Sequence, residues 1–168
     1  MQSKDEGMKL RLVILAACVL VFAGCGAVPV SQEKGVLLGK ISRADLSESW
    51  LTAYEQAPID PPFVEMIRQA QEGVDVVVFI GTWCSDSKRE VPRFLRIADE
   101  VGMDQSRYTL YALDRKKSSP EGTEKAYAVE RVPTFIFLRG GKEIGRIVES
   151  PRTTLEGDIL TILVAANS

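Results

Sequence analysis

Five consecutive residues, Val76-Val77-Val78-Phe79-Ile80, constrain this chain more than any other segment. A strand wetted on one face alternates apolar and polar side chains, whereas an unbroken β-branched and aromatic run describes a strand covered on both faces. Such a strand needs partner layers, and the flanking pattern supplies helices. Before it, Asp60 and Pro61 form an N-cap and first-turn pair for a helix that places Phe63, Ile67 and Ala70 on one face and ends at Gly73. After it, Val91, Phe94, Leu95, Ala98 and Val101 share a helical face closed by Gly102. A strand over 108–113, a short helix over 124–129 and a strand over 134–138 follow. Gly140-Gly141 is a two-residue hairpin turn into a strand over 143–148. Leu155, Ile159, Ile162, Leu163 and Ala166 give a last amphipathic helix, with Thr153 and Glu156 in capping-box positions. The expected fold is α/β, a central mixed sheet flanked by helices. An extra N-terminal helix is expected from Ser42, where Leu46, Trp50, Ala53, Tyr54 and Ala57 recur at helical spacing until Pro58; Trp50 and Tyr54 read as core rather than as a ligand platform.

At 168 residues the chain suits one globular domain, preceded by an address. Residues 10–23 are apolar apart from Arg11, too short for an ordinary membrane span, and Lys9 and Arg11 stand at the start, as in a signal peptide. Phe22-Ala23-Gly24-Cys25 resembles a bacterial lipobox, with Phe22 in place of the usual Leu. That resemblance implies that residues 1–24 are removed and that Cys25 receives diacylglycerol, whose buried chains contribute about 0.8 kcal/mol per CH2. Translation could start at Met1 or Met8. Residues 25–41 read as a tether, 42–59 as a helical extension and 60–168 as the core of the domain. Without residues 1–24 the charge is 18 minus 21, or −3, and nothing in it suggests a nucleic-acid partner.

The absence of histidine excludes a Ser-His-Asp triad, a Cys-His pair and His-ligated zinc. Three cysteines, Cys18, Cys25 and Cys84, are too few for a disulfide framework and lack metal-site spacing, so neither metal nor cofactor is expected. Cys84 stands out because it lies where the buried strand gives way to a helix. There it meets unsatisfied backbone N–H groups and the positive end of the helix dipole, which favour the nucleophilic thiolate. Lys88, Arg89 and Arg93 follow within two turns and could add positive potential, although a solvated basic face is the simpler reading of Arg93.

These residues resemble the thioredoxin superfamily. Trp83 and Cys84 match the aromatic residue and nucleophile of its WCxxC motif, Pro92 matches its helix proline, Val132-Pro133-Thr134 matches its cis-proline loop, and Gly140-Gly141 falls at its last turn between strands. The resemblance covers residues 60–166 and leaves the helix at 43–57 and the tether outside. It implies that Val132 stands beside the nucleophile, where its backbone can pair with an extended substrate together with Pro133 and Thr134. It also implies that Glu149 lies near the rim of the site and contacts substrate, the alternative being an exposed strand-end acid. Two departures matter. Ser87 occupies the place of the resolving cysteine, and Val78 replaces the buried acid six residues before the nucleophile. An internal disulfide is therefore impossible, and an external thiol must resolve any mixed disulfide on Cys84. Ser87 is expected to hydrogen-bond the thiolate, and Asp86 reads as a helix first-turn acid.

The resulting expectation is a lipid-anchored, monomeric protein of a bacterial cell envelope that performs monothiol thiol-disulfide exchange through Cys84, in the manner of an oxidoreductase or isomerase. Its partners would be protein or small-molecule thiols and disulfides, an external reductant or oxidant, and the membrane. The alternative is a redox-inactive binding or chaperone-like module that keeps the cis-proline groove. A third reading, cluster binding by a monothiol glutaredoxin, requires a CGFS site that Cys84-Ser85-Asp86-Ser87 does not match.

Overall fold

The computed structural model describes residues 36–166, so the signal segment and Cys25 lie outside the described residues. In chain order the elements are β1 (Gly39–Ile41), α1 (Glu48–Glu55), α2 (Pro61–Ala70), β2 (Val74–Ile80), α3 (Ser85–Glu100), β3 (Tyr108–Ala112), α4 (Thr123–Ala126), β4 (Thr134–Arg139), β5 (Lys142–Val148) and α5 (Leu155–Ala165). They build a mixed five-stranded sheet in the order β1-β3-β2-β4-β5. The apolar run lies in its centre: β2 pairs in parallel with β3, Val78 opposite Leu110, and antiparallel with β4, Val78 opposite Phe135.

Both faces of β2 are covered, as the run demands, but unequally. Val74, Val76, Val78 and Ile80 point into a large cluster with Trp50, Ile67, Phe94 and Leu155, supplied by α1, α2, α3 and α5. Val77 and Phe79 point the other way, into a smaller cluster with Leu113, Val129, Val132 and Ile136 against which Trp83 and Cys84 pack. The period-2 alternation of a strand thus hands one set of residues to the stabilising core and the other to the neighbourhood of the thiol.

Four local expectations change. Residues 39–41, read as the end of a tether, form an edge strand antiparallel to β3, with Gly39 opposite Ala112. The single helix expected from Ser42 is two pieces, a 3-10 turn over Arg43–Asp45 and then α1, separated by extended Leu46 and Ser47. Asp45 causes the break: its Oδ2 accepts from Ser42 N and Ser42 Oγ, both at 2.7 Å, which closes the turn on itself. The cap of α5 is Thr154, not Thr153; its Oγ1 accepts from Gly157 N at 3.1 Å. Glu156 is free of capping duty and lies completely buried, paired with Arg93 at 2.7 Å across the α3–α5 interface, so Arg93 is no solvated face residue. The Gly140-Gly141 turn is as expected, with φ of 57° and 77°, the left-handed pair that a tight hairpin requires.

Candidate active site

At the carboxyl end of β2 the chain makes a tight turn, Cys84 N donating to Gly81 O at 2.9 Å, and enters α3 with Cys84 as N-cap. Gly81 is required here. A Cβ at that position would stand 2.8 Å from Cε2 of Trp83, whose ring lies over the backbone. Trp83 is fixed by its indole N–H, Nε1 donating to Leu113 O at 3.0 Å. Half-buried Cys84 points across the end of the sheet, and its Sγ donates to Val132 O at 3.3 Å. The Val132–Pro133 peptide is cis. Residues 48 apart in sequence therefore meet at the thiol.

Ser87 is completely buried, and its Oγ accepts from Gly81 N at 3.1 Å. Its partner is the strand-end amide rather than Cys84, so Ser87 ties the first turn of α3 to the end of β2. Val78 is completely buried in the large cluster, so the position where the resemblance implies an acid is apolar. Thr134 is also buried, and its Oγ1 donates to Arg131 O at 2.7 Å, which places it under the proline loop rather than in an open groove. Glu149 adopts the left-handed conformation, φ 62°, rare outside glycine. Its amide donates to Pro133 O at 2.7 Å and its carboxylate meets Arg131 at 2.8 Å, so the loop after β5 and the proline loop are bolted together at the rim.

Three features near the thiol have no local signature in the sequence. Arg89 reaches Asp86 at 2.8 Å, Glu90 at 2.7 Å and Ser150 Oγ at 2.8 Å, clamping α3 to the loop after β5. Arg115 and Lys117, from the loop after β3, stand over the Trp83 ring at 5.3 and 6.0 Å from its centroid. Leu37 N donates to Thr82 Oγ1 at 3.3 Å, so the chain ahead of β1 passes beside the loop that carries Trp83 and Cys84. A pocket of about 280 Å³ opens there between Leu37, Leu46, Trp50, Thr82 and Lys88.

A reachable thiol at a helix N-terminus, facing the carbonyl that precedes a cis-proline on a mixed sheet flanked by helices, defines a thioredoxin-like protein. The chain belongs to the thioredoxin family: the family model described as thioredoxin matches residues 41–158. That span takes in α1, which the sequence resemblance had left outside. The chain is 35% identical over 95 residues to a thioredoxin of Oryza sativa subsp. japonica, covering 55% of this chain and 63% of that one. It is 26% identical over 98 residues to a thioredoxin-like protein of Acanthamoeba polyphaga mimivirus, covering 58% of this chain and 69% of that one. The chain therefore spans about two thirds of the length of either relative. Among solved structures, a protein of unknown function from Pseudomonas aeruginosa aligns with a TM-score of 0.51 at 14% identity, over 74% of this chain and 87% of that one. At that identity the likeness is one of fold.

Proposed function

We propose that this protein carries out thiol-disulfide exchange with Cys84 as its single working thiol, on a domain held at a bacterial membrane by acylated Cys25. The observation that carries the reading is the half-buried Cys84 Sγ at 3.3 Å from Val132 O, in a domain whose neighbouring motif position is the inward-turned Ser87. The Cys84 thiolate attacks one sulfur of a client disulfide; a bond forms between Cys84 Sγ and that sulfur, the client S–S bond breaks, and the second client sulfur leaves as a thiolate with the electron pair. The Val132 carbonyl, beside the attacking atom, offers an acceptor to an extended client backbone. No second cysteine among the described residues can attack the mixed disulfide, so an external thiol displaces Cys84 and completes the cycle. Support for the anchor comes from the order Phe22-Ala23-Gly24-Cys25 behind a short apolar run.

Acid quenching of cells followed by mass spectrometry tests the exchange reading. Cys84 is expected in mixed disulfides with client proteins or small thiols, and Cys84→Ala is expected to abolish their capture. Capture that survives Cys84→Ala would instead establish a redox-inactive binding module. Cys25→Ala is expected to move the protein from the membrane to the soluble fraction; unchanged fractionation refutes the anchor.

A further inference from the structure

We infer that the loop following β3 selects clients whose disulfide is flanked by acidic residues. The inference rests on the exchange reading above and names its substrate class.

The chain as a whole is acidic, with a formal net charge of −2, yet Arg115, Lys116 and Lys117 stand together on this loop. Arg115 and Lys116 are exposed and Lys117 is half-buried. Arg115 and Lys117 are held at the site by the Trp83 ring, whose own indole is pinned to Leu113 O, the carbonyl just ahead of the loop. None of the three cations forms an ion pair among the described residues. Two of the three acids on this stretch are engaged with backbone or serine groups of the loop itself. Asp114 turns its Oδ1 to the amides of Lys116 and Ser118, at 2.8 and 2.9 Å. The Glu121 carboxylate lies against Gly39, and buried Glu124 takes Ser119 N and Oγ. Counting Asp114 and Glu121, residues 114–121 carry three positive charges against two negative, a local +1, with the three cations adjacent to one another.

The opposite rim has no such excess. Arg131 is matched by Glu149 at 2.8 Å, and the nearest acid on α3, Asp86, is matched by Arg89 at 2.8 Å. Glu130, exposed beside Arg131, adds a negative charge on that side, so a client crossing the thiol from the Val132 loop toward Trp83 passes from a weakly anionic rim to a cationic one. Two features fix the sign of the preference: the uncompensated charge itself, and its attachment to the residue preceding the nucleophile. Charge on a site rim acts chiefly on the rate of encounter, and salt weakens it.

The test compares two aliphatic disulfides of opposite charge, the dianion of dithiodipropionic acid and the dication cystamine. Formation of the Cys84 mixed disulfide in the purified full chain is followed by mass. The ratio of the two rates cancels the intrinsic reactivity of the thiol. Replacing Arg115, Lys116 and Lys117 together with Gln is expected to lower the anion-to-cation ratio at least about tenfold at low salt. Raising salt from about 20 mM to about 0.5 M is expected to collapse most of the wild-type preference. Lys116→Gln alone, which removes a cation without a ring contact, is expected to move the ratio the same way by a smaller factor. A ratio unchanged in the triple variant or insensitive to salt overturns the inference. So does a ratio that responds only to loss of the pair over Trp83, since that would report ring placement rather than charge. Reaction with both probes at a ratio indifferent to these changes leaves the exchange reading intact, whereas reaction with neither overturns both.

Discussion

The two ends of α3 are built from similar polar residues put to opposite uses. At its C-terminal end every polar side chain is a fastening. Asp99 accepts from Arg43 at 2.8 Å and from the Tyr54 hydroxyl at 2.6 Å; Arg96 meets Glu100 at 2.9 Å and lies over the Tyr54 ring; Arg68 and Gln71 of the α2 region donate to the carbonyls of Glu100 and Val101. At its N-terminal end the fastenings are Ser87 to Gly81 and Arg89 to Ser150, and between them Cys84 has a single S–H donation to a carbonyl. A sulfhydryl is a weak donor, so this contact yields readily to an incoming sulfur. One end is locked and the other leaves Cys84 loosely tied, the arrangement that the proposed exchange requires, since a reactive group is held in place best when its supports are fixed.

The sharpest break in that contrast would come at Ser87. Ser87→Cys replaces an inward-turned oxygen with a second thiol three residues beyond Cys84. The variant is expected to close a disulfide between Cys84 and the introduced thiol on oxidation, so that thiol titration of the folded domain falls from two groups to none and mixed disulfides no longer accumulate. Two thiols that remain titratable after oxidation would show that the side chain at this position cannot turn toward Cys84 and that the monothiol character is set by packing as well as by residue type.

A smaller effect is expected at the other end. Asp99→Ala deletes the acceptor for both Arg43 and Tyr54 and should lower the unfolding free energy by about 1–3 kcal/mol in urea titrations. The rate at which Cys84 reacts with a neutral disulfide should stay within about twofold, because distant sites behave additively. A matching fall in that rate would mean that the two ends of the helix are coupled and the division of labour is false.

The smallest effect concerns the turn that delivers Arg43 to Asp99. Hydrogen bonds from the Ser42 amide and hydroxyl hold the Asp45 carboxyl below the ordinary aspartate range. A group whose folded value is depressed stabilises the fold above its unfolded value and loses that contribution as pH falls through the folded one. The Tm difference between wild type and Asp45→Asn should therefore be complete above about pH 5, past the ordinary aspartate range, and shrink as the pH falls through the depressed folded value. A difference that persists unchanged in acid would assign the effect to shape rather than to charge.

Local features of this molecule could be read in advance and long-range ones could not. The buried strand, the Gly140-Gly141 turn and the placing of Cys84 between a strand and a helix each depend on neighbouring residues, and periodicity or turn chemistry reports them. Strand β1 escaped because three residues, Gly39–Ile41, carry too little pattern, and what makes them a strand is β3, more than 65 positions on. Arg93 read as a solvated cation because its partner Glu156 is 63 positions away. Thr154 rather than Thr153 caps α5 for a related reason: Thr153 is occupied by Asp158, whose Oδ1 accepts from its hydroxyl at 2.9 Å. At the site, Cys84 ahead of a helix and the proline loop were legible as spaced motifs. The turning of Ser87 to Gly81, and the cations over Trp83, depend on which way a side chain faces once the sheet has formed.

The hydrogen bond between Leu37 and Thr82 also settles where the chain enters the domain, two residues in sequence from the nucleophile. With Cys25 as a lipid anchor, residues 26–36 would span at most about 38 Å when fully drawn out. The working thiol would then patrol a thin shell above the bilayer, and a client fixed in the same membrane would meet it far more often than one diffusing freely, through confinement rather than affinity.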